Sequence, residues 1–295
     1  MKCFYHADAD GRCAGFWVKL SAAITDKSQY DIKFIEINYG MPFPFDIIQQ
    51  DEQIYIVDYS IEPQEMLRLL EITKDVTWID HHKTAIAKYV DFPCDIRGVR
   101  VDGVAACMLT YCYLHHMTDR GIGTIIPFDT SMTEKAPKFT KLITDWDVWK
   151  FEYGNDTRNF ITNFNTRDFC PWSSNWDDFF INDCERICDI FIRDGAMMNR
   201  FRDQWAKEYC RVKGFETVID GRKAFAMNLG MCNSEYFKSI SGYDILMPFC
   251  FDGETWTVSM YSQTVDVSEI AKKYGGGGHK GASGFQCKEL PFVKK

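Results

Sequence analysis

Three short apolar runs in the first third of the chain each end in residue types that bind metal ions. Residues 3–5 lead into HADADG at 6–11, residues 54–57 lead into Asp58, and residues 76–79 lead into Asp80, His81 and His82. Helix-like stretches separate the runs, and strands that alternate with helices favour a parallel sheet with helices on its faces. Because the carboxyl ends of parallel strands meet at one edge of the sheet, we expect these acidic and imidazole side chains to form one site.

The length and charge of the chain limit what such a site can serve. A chain of 295 residues is long for one domain, and we expect two. Its formal net charge is −8, whereas proteins that hold long nucleic acid through many phosphates usually carry a basic excess. The acidic balance therefore favours a small or short substrate and argues against long duplex DNA.

Cysteine use and the length of the hydrophobic runs indicate a cytoplasmic protein. None of the 12 cysteines forms a Cys-x-x-Cys pair, so we expect buried, reduced thiols rather than a zinc knuckle. The N-terminus lacks the basic and apolar pattern of a signal peptide. No run approaches the ~20 apolar residues that a membrane helix needs, and we expect no membrane partner.

Hydrophobic periodicity divides the chain into an α/β part and a second, strand-rich part. In the first part we expect strands at 3–6, 32–38, 54–58 and 76–80, and helices at 15–24, 63–73 and 102–116, the last with Asp102 as its N-cap. A largely helical stretch follows, to about residue 213. Strands are then expected at 217–220, 223–229, 243–251 and 255–261, with Asp252-Gly253 turning between the last two. We place the domain boundary near residues 200–215.

The number and type of candidate ligands indicate two metal ions. His6, Asp8 and Asp10 alternate, and alternate side chains of an extended chain share one side, so we expect all three to face one cation cluster. Together with Asp58 and the residues at 80–82, they exceed what one cation needs. Mixed imidazole and carboxylate ligands suit manganese, iron or zinc, and two ions that share a carboxylate suit phosphoryl displacement.

Three further segments carry candidate functional residues. Between two tryptophans, either Asp145 or Asp147 is a candidate for one more ligand, and spacing alone does not choose between them. Four glycines at 275–278, followed by His279, favour a backbone site for phosphate, which a nearby helix N-terminus would strengthen. The aromatic-rich stretch 160–176 is compatible with base stacking, and at least equally with plain core packing.

These motifs, in this order along essentially the whole chain, resemble the DHH phosphoesterases that carry a C-terminal DHHA1 domain. The residues at 80–82 resemble the triplet that names the family, HADADG at 6–11 resembles its first motif, and Asp58 its second. GGGGHKGASGF at 275–285 resembles the glycine-rich signature of the DHHA1 domain. The short acidic chain is more similar to the nanoRNase or oligoribonuclease branch, which trims short oligonucleotides, than to the long-DNA RecJ type.

The resemblance implies an α/β protein of two domains with a cleft between them. A parallel-sheet DHH domain with flanking helices would occupy residues 1–200, with a helical connector to about 213, and would bind the metals. A smaller α/β DHHA1 domain at 214–295 would bind the substrate.

The resemblance also implies roles for individual residues around a pair of manganese ions, with magnesium as an alternative. Asp58 would bridge the ions, and the remaining ligands would be His6, Asp8, Asp10, His81 and Asp147. The choice of Asp147 follows from the family's fourth motif, which it fits better than Asp145 does. The expected catalytic residues are Asp58, Asp80 and His82. The expected substrate-binding residues are Gly276, Gly277, Gly278 and His279.

We therefore hypothesise a metal-dependent phosphodiesterase that converts short oligonucleotides or dinucleotides to mononucleotides through a hydroxide activated by two metals. His82 would lie near the scissile phosphate, and Asp80 would orient the histidines. A phosphoanhydride hydrolase acting on pyrophosphate or polyphosphate is an alternative with the same metal core. A non-catalytic nucleotide sensor is a second alternative, although such a protein has no need of so many acidic ligands. A homodimer is compatible with each of these interpretations.

Overall fold

The computed structural model describes residues 1–24, 32–120, 128 and 130–294. The chain divides into two compact units, Met1–Ala196 and Met197–Lys295. The assignment of metal binding to residues 1–200 and of substrate binding to residues 214–295, like the cleft between the two domains, stays a prediction. Within the described segments, no helix combines the length and the apolar character that crossing a bilayer would require.

The first unit contains a parallel four-stranded sheet, as the sequence predicted. Its strands are β1 (Lys2–His6), β2 (Lys33–Ile37), β3 (Ile54–Val57) and β4 (Val76–Ile79), in the order β2-β1-β3-β4. Successive side chains of a strand point to opposite faces, so Cys3 and Tyr5 belong to one hydrophobic cluster and Phe4 to another. The sheet is therefore covered on both faces, which explains why β1, β3 and β4 are almost continuously apolar, whereas the edge strand β2 is only partly buried.

Helices cover both faces of this sheet and extend beyond it. They are α1 (Ala9–Ile24), α2 (Pro63–Ile72), α3 (Lys83–Ala87), α4 (Ala106–Arg120), α5 (Ser131–Lys135), α6 (Lys138–Asp147), α7 (Asn155–Phe164), α8 (Asp178–Ile181) and α9 (Cys184–Lys213), the last of which runs into the second unit. Helix α2 begins at Pro63, as predicted, and the Glu65 carboxylate accepts the N–H of Glu62 just before it, at 3.0 Å.

Two predicted helix starts were wrong, and both errors lie next to the candidate site. Helix α1 begins at Ala9 rather than at residue 15, and α4 begins at Ala106 rather than at Asp102. At α1 the cap is local, since the N–H of Gly11 donates to Asp8 at 2.9 Å. At α4 it is a tertiary contact, since the N–H groups of Ala106 and Cys107 donate to Asp10, and local sequence preference does not reveal such a contact.

The aromatic stretch around residues 160–176 is mainly core. Phe160, Phe164, Phe169 and Trp176 are each at most 2% exposed, and the rings of Phe164 and Phe169 stack with centroids 4.0 Å apart. Buried rings have no face left for a nucleobase, so this stretch does not form a stacking platform. Trp172, which is half exposed, is the exception within the segment.

The second unit is built on a six-stranded mixed sheet of order β5-β6-β7-β8-β10-β9. Its strands are β5 (Gly214–Ile219), β6 (Arg222–Asn228), β7 (Ile245–Phe251), β8 (Trp256–Tyr261), β9 (Gly277–His279) and β10 (Ala282–Cys287), and α10 (Val267–Lys273) follows β8. The predicted hairpin at Asp252-Gly253 is confirmed: β7 and β8 pair antiparallel across it. Residues 252–255 connect β7 and β8, whereas the hairpin of β5 and β6 has a two-residue turn, Asp220-Gly221, with φ of 51° and 75°, the positive values that such turns require.

Candidate metal centre

A tight strand-to-helix turn places the first group of predicted ligands. Strand β1 ends at His6, Asp8 follows, and Asp10 already lies in the first turn of α1. A Cβ atom on Gly11 would lie 2.3 Å from the carbonyl oxygen of His6, so only glycine lets the helix start this close to the strand. The expectation that residues 6–10 share one side of an extended chain was wrong. The turn brings their side chains to the sheet edge instead.

Asp58 occupies a strained position at the end of β3. Its φ is +54°, a left-handed value that is uncommon for residues other than glycine, and its side chain is 1% exposed. Its N–H donates to the carbonyl oxygen of Ile79 on the neighbouring strand at 2.9 Å. Such strain persists when the surrounding structure holds a residue in place, and it is frequent at functional sites.

The three strand ends and the end of α6 bring the predicted ligands together. His6 Nδ1 lies 2.8 Å from Asp8 Oδ2 and 3.6 Å from Asp58 Oδ2. His81 Nε2 lies 3.3 Å from Asp58 Oδ1, 3.3 Å from Asp147 Oδ2 and 3.7 Å from Asp10 Oδ2. These atoms fall into overlapping ligand groups, within each of which every pair lies within 4.8 Å: His6–Asp8–Asp58, Asp10–His81–Asp147 and Asp58–Asp80–His81–His82.

The chemistry of this cluster fits a cation. Both oxygens of Asp58 and Oδ2 of Asp147 are buried and accept no hydrogen bond from the described residues, although buried oxygens of this kind normally have a donor. Burial, followed by the charges of Asp10 and Asp8, raises the pKa of Asp58 and of Asp147 well above the ordinary value. A positive ion between the carboxylates would satisfy these oxygens and remove their mutual repulsion.

Asp8 differs electrostatically from the two buried carboxylates. Burial alone would raise its pKa, but the hydrogen bond and charge of His6, with the N–H of Gly11 at 2.9 Å, outweigh burial and lower the pKa to about 2. Asp8 therefore remains ionised when its neighbours are protonated, so it keeps a negative charge in the group His6–Asp8–Asp58.

Asp80 holds His82 in a fixed orientation. The Asp80 Oδ1 atom lies 2.7 Å from His82 Nδ1 and also accepts the backbone N–H groups of His81 at 2.7 Å and His82 at 3.2 Å, while Oδ2 accepts the hydroxyl of Ser60. Burial opposes ionisation of both partners, but their hydrogen bond and opposite charges outweigh it, so the pKa of Asp80 is lowered and that of His82 is raised. Asp80 thus fixes which imidazole nitrogen carries a proton.

The structure separates the two aspartates that spacing could not. Asp147 points towards His81, whereas the carboxylate of Asp145 accepts the N–H of Glu152 at 2.7 Å, the N–H of Tyr153 at 3.3 Å and the hydroxyl of Thr157. Asp145 therefore fixes the turn after α6, and Asp147 is the aspartate brought into the cluster.

Asp10 has a second task that the sequence did not reveal. Its two oxygens accept the N–H groups of Ala106 and Cys107, each at 2.7 Å, so it caps the N-terminus of α4 from a different helix. The predicted cap, Asp102, is exposed and lies four residues before the helix. A carboxylate has about four acceptor positions, so Asp10 retains capacity for a cation.

The glycine-rich segment lies at a sheet edge, not at a helix N-terminus. Helix α10 ends before it, and the N–H groups of Gly275 and Gly276 donate to carbonyls of that helix, at 3.1 and 2.9 Å. The amide of Gly276 is therefore engaged, which argues against its predicted part in phosphate binding. Gly277, Gly278 and His279 form the exposed strand β9, and their role in substrate binding stays a prediction.

Comparison with known proteins agrees with these motifs. No family model matches the chain. It is 26% identical over 83% of its length to the uncharacterized protein R106 of Acanthamoeba polyphaga mimivirus, of which it spans only 56%, little more than half. It is 24% identical over 95% of its length to the oligoribonuclease NrnB of Bacillus subtilis (strain 168), of which it covers 71%. Among solved structures, RecJ in complex with Mn²⁺ from Thermus thermophilus is similar with a TM-score of 0.53 at 13% identity, over 96% of this chain and 49% of that one.

Together with the motifs at residues 6–11, 58 and 80–82, these similarities agree with the resemblance to the DHH family. The likeness to RecJ lies in the fold, and it agrees with the parallel sheet and the second mixed sheet described above. The Asp80-His81-His82 triplet forms the turn after β4, where Asp80 and His82 are hydrogen-bonded to each other.

Proposed function

We propose that this protein is a DHH-type, metal-dependent phosphodiesterase that hydrolyses short oligonucleotides or dinucleotides to mononucleotides. The observation that carries the proposal is the position of Asp58, a buried carboxylate that lies within 3.6 Å of both His6 and His81 and accepts no hydrogen bond from the described residues. A carboxylate that lies between two ligand groups could bind both ions of a metal pair. The relative named as an oligoribonuclease supports this class of reaction, and the Mn²⁺ in the similar structure of RecJ supports manganese as the metal.

The proposed ligands divide into two sets that meet at Asp58. His6 and Asp8 would complete one set, and the other would be completed by Asp10, His81 and Asp147. When bound, two divalent cations supply a nucleophile at neutral pH by lowering the pKa of water, and they offset charge that develops on the phosphate. The protein holds the ligand atoms in place beforehand, because the N–H of Asp58 is bonded to Ile79 of β4 and the side chain of Asp10 is bonded to α4.

His82 is the proposed source of the proton for the leaving oxygen. Its Nδ1 donates to Asp80, which leaves Nε2 as the other titrating nitrogen, and the raised pKa keeps the ring protonated to higher pH than a free histidine. Asp80 is fully buried, so its negative charge acts on His82 with little screening by water. Asp80 is thus a positioning residue in this proposal, and it does not touch the substrate.

The decisive experiment compares dinucleotide hydrolysis by the wild type and by Asp58→Ala in Mn²⁺. We expect the variant to lose at least about a hundredfold in kcat/KM, because it removes a ligand common to both metal sets. Asp145→Asn is the matched control, since that carboxylate is buried nearby but is occupied by the turn after α6. A variant Asp58→Ala with wild-type activity would refute the proposed mechanism.

The same assay separates the proposal from its alternatives. Inorganic pyrophosphate is offered beside the dinucleotide at equal concentration, with Mn²⁺, Mg²⁺ and Zn²⁺ added separately to metal-depleted protein. Preferential hydrolysis of pyrophosphate would replace the proposal with a phosphoanhydride hydrolase. Tight nucleotide binding with no turnover under any metal would replace it with a sensor.

A further inference from the structure

A cavity of about 230 Å³ opens beside the metal cluster, within the first unit. Part of its wall is acidic and belongs to the cluster: Asp8, Asp10 and Asp147. Another part consists of donors that the metal site does not use: Arg12, Asn165 and Arg167. The volume is below the roughly 300–1,000 Å³ of sites that enclose a whole drug-sized ligand, so a phosphate group suits it better than a complete nucleotide.

The two guanidinium groups reach this cavity from separate elements. Arg12 follows Asp8 by four residues and its N–H donates to the carbonyl of Asp8 at 3.1 Å, so both side chains lie on the same face at the start of α1. Asn165 and Arg167 come from the turn directly after α7. Ala7 and Ala9 also line the cavity, and their small side chains leave the space between the arginines and the cluster open.

Both arginines keep donor capacity for a ligand. Arg12 Nη2 lies 3.4 Å from Glu36, and Arg167 Nη1 lies 3.7 Å from Asp178. Both distances exceed the 2.7–2.9 Å or so of strong charge-assisted hydrogen bonds. The buried Nε of Arg12 has no hydrogen-bond partner among the described residues. A guanidinium group offers five N–H donors in a planar fork that matches phosphate, so these loose pairs leave most of that capacity unused.

We propose that Arg12, Asn165 and Arg167 form a subsite for a second phosphate group, one linkage away from the phosphate that is hydrolysed. The inference rests on the proposed function and deepens it by assigning the substrate class: short nucleotides that carry a phosphate beyond the scissile one. The carboxylates of the cluster would repel such a group on their own, but cations held between them reverse the local field. A terminal monoester and the next phosphodiester share this chemistry.

The test uses five substrates that differ only in the second phosphate. They are a dinucleotide without terminal phosphate, the same dinucleotide with a 5′ or with a 3′ phosphate, and trinucleotides extended at either end. We expect the wild type to prefer one phosphorylated or extended form by about tenfold or more in kcat/KM, since a hydrogen bond to a charged group contributes about 1.5–3 kcal/mol. Arg12→Gln and Arg167→Gln should each reduce that preference about tenfold.

Glu36→Gln separates a substrate-binding role of Arg12 from a structural one. If the arginine serves only its ion pair, removal of Glu36 should act in the same direction as removal of Arg12. If it serves the substrate, Glu36→Gln frees the guanidinium and should raise the preference for the second phosphate. Arg193→Gln is the matched control, because this exposed arginine pairs with Asp194 on α9 and is not among the cavity residues.

A binding measurement removes the dependence on turnover. Dinucleotides with a methylene group in place of the bridging ester oxygen cannot be hydrolysed there, and their affinities with and without terminal phosphate are measured by calorimetry. We expect the affinity ratio to fall about tenfold in Arg12→Gln and in Arg167→Gln, and to stay constant in Arg193→Gln.

Failure of this inference differs from failure of the proposed function. Equal hydrolysis of all five substrates, or an unchanged preference and affinity ratio in both arginine variants, would overturn the subsite while leaving the phosphodiesterase intact. Parallel losses in Arg12→Gln and Glu36→Gln would assign Arg12 to structure and overturn its part in the subsite. Absence of hydrolysis of every substrate by the wild type would instead overturn the proposed function.

Discussion

Replacing Asp58 by Asn should change the stability of the first unit in opposite directions with and without metal. Burial, and then the charges of Asp10, Asp8 and Asp147, raises the pKa of Asp58 in the metal-free protein. When a carboxyl group has a higher pKa in the folded than in the unfolded state, the protein loses folding stability as the pH rises from the unfolded-state pKa to the folded-state pKa. At neutral pH the metal-free fold therefore carries a penalty that Asn, which has no charge, does not.

The structure sets the size of this penalty. Ligand oxygens of Asp58 and Asp8 lie within 4.8 Å of each other, and two unit charges at 4.8 Å repel by roughly 3.5 kcal/mol at an effective dielectric of 20. The destabilisation of the metal-free fold cannot exceed the free energy of protonating Asp58. For a carboxyl group of ordinary pKa near 4, protonation costs about 4 kcal/mol at pH 7. After allowance for the lost packing of the native side chain, we expect Asp58→Asn to stabilise the metal-free unit by about 1–3 kcal/mol, or at least about 2 °C in Tm.

Metal should reverse the order of the two proteins. Mn²⁺ at a hundred times its Kd stabilises the wild type by about 2.7 kcal/mol, because it binds only the folded state. Asp58→Asn lacks the bridging carboxylate and should gain much less. Scanning calorimetry in EDTA and in Mn²⁺ measures both effects.

Asp145→Asn provides the control for this experiment. It weakens the hydrogen bonds that fix the turn after α6, so it should lower Tm in both conditions and leave the increment from Mn²⁺ unchanged. If Asp58→Asn lowers the Tm of metal-free protein in the same way, or keeps the full increment from Mn²⁺, the inference of a shared, mutually repelling metal site is wrong.

Three further predictions concern the residues around this centre. Asp80→Asn should lower the pKa of His82 from its raised value towards that of a free histidine, so the alkaline limit of kcat should move to lower pH. NMR titration of the His82 ring measures this pKa, and an unchanged value would contradict the role of Asp80. In EDTA, Asp10→Ala should be about 1–2 kcal/mol less stable than Asp10→Asn, because both variants remove the charge beside Asp58 but only Asn keeps an oxygen that can accept from α4. Equal urea midpoints for the two variants would exclude this capping role. Gly11→Ala should cost about 1–3 kcal/mol in urea unfolding, because its Cβ would meet the His6 carbonyl, whereas a neutral substitution would show that the strand-to-helix turn relaxes freely.

The sequence predicted the parallel sheet because its signal is local and strong. Strands β1, β3 and β4 are short apolar runs, each of which leads into acidic or imidazole residues, and the alternation with helices predicts their parallel arrangement. The hairpin at Asp252-Gly253 was predicted for a similar reason: two residues with the right turn chemistry lie between two apolar runs.

The finer geometry of the centre depends on contacts between residues far apart in sequence. The capping of α4 by Asp10 spans 96 residues, so no local pattern marks it, and the exposed Asp102 was the better local candidate. Asp147 was chosen through the family resemblance, while the reason that Asp145 is unsuitable lies in its bonds to residues 152, 153 and 157. One local signal was available and overlooked: Asp220-Gly221 has the same turn chemistry as the hairpin that was predicted.

The double use of Asp10 limits how this centre can diverge. Glutamate would keep the negative charge but extend it by one methylene, and it could not reach the metal site and both amides of α4 in the same geometry. Substitutions that tune ion affinity at this position would therefore also disturb the N-terminus of α4. Variation in metal preference among relatives of this chain should accordingly be found at Asp147 or His6, whose side chains cap no helix in the described part of the chain.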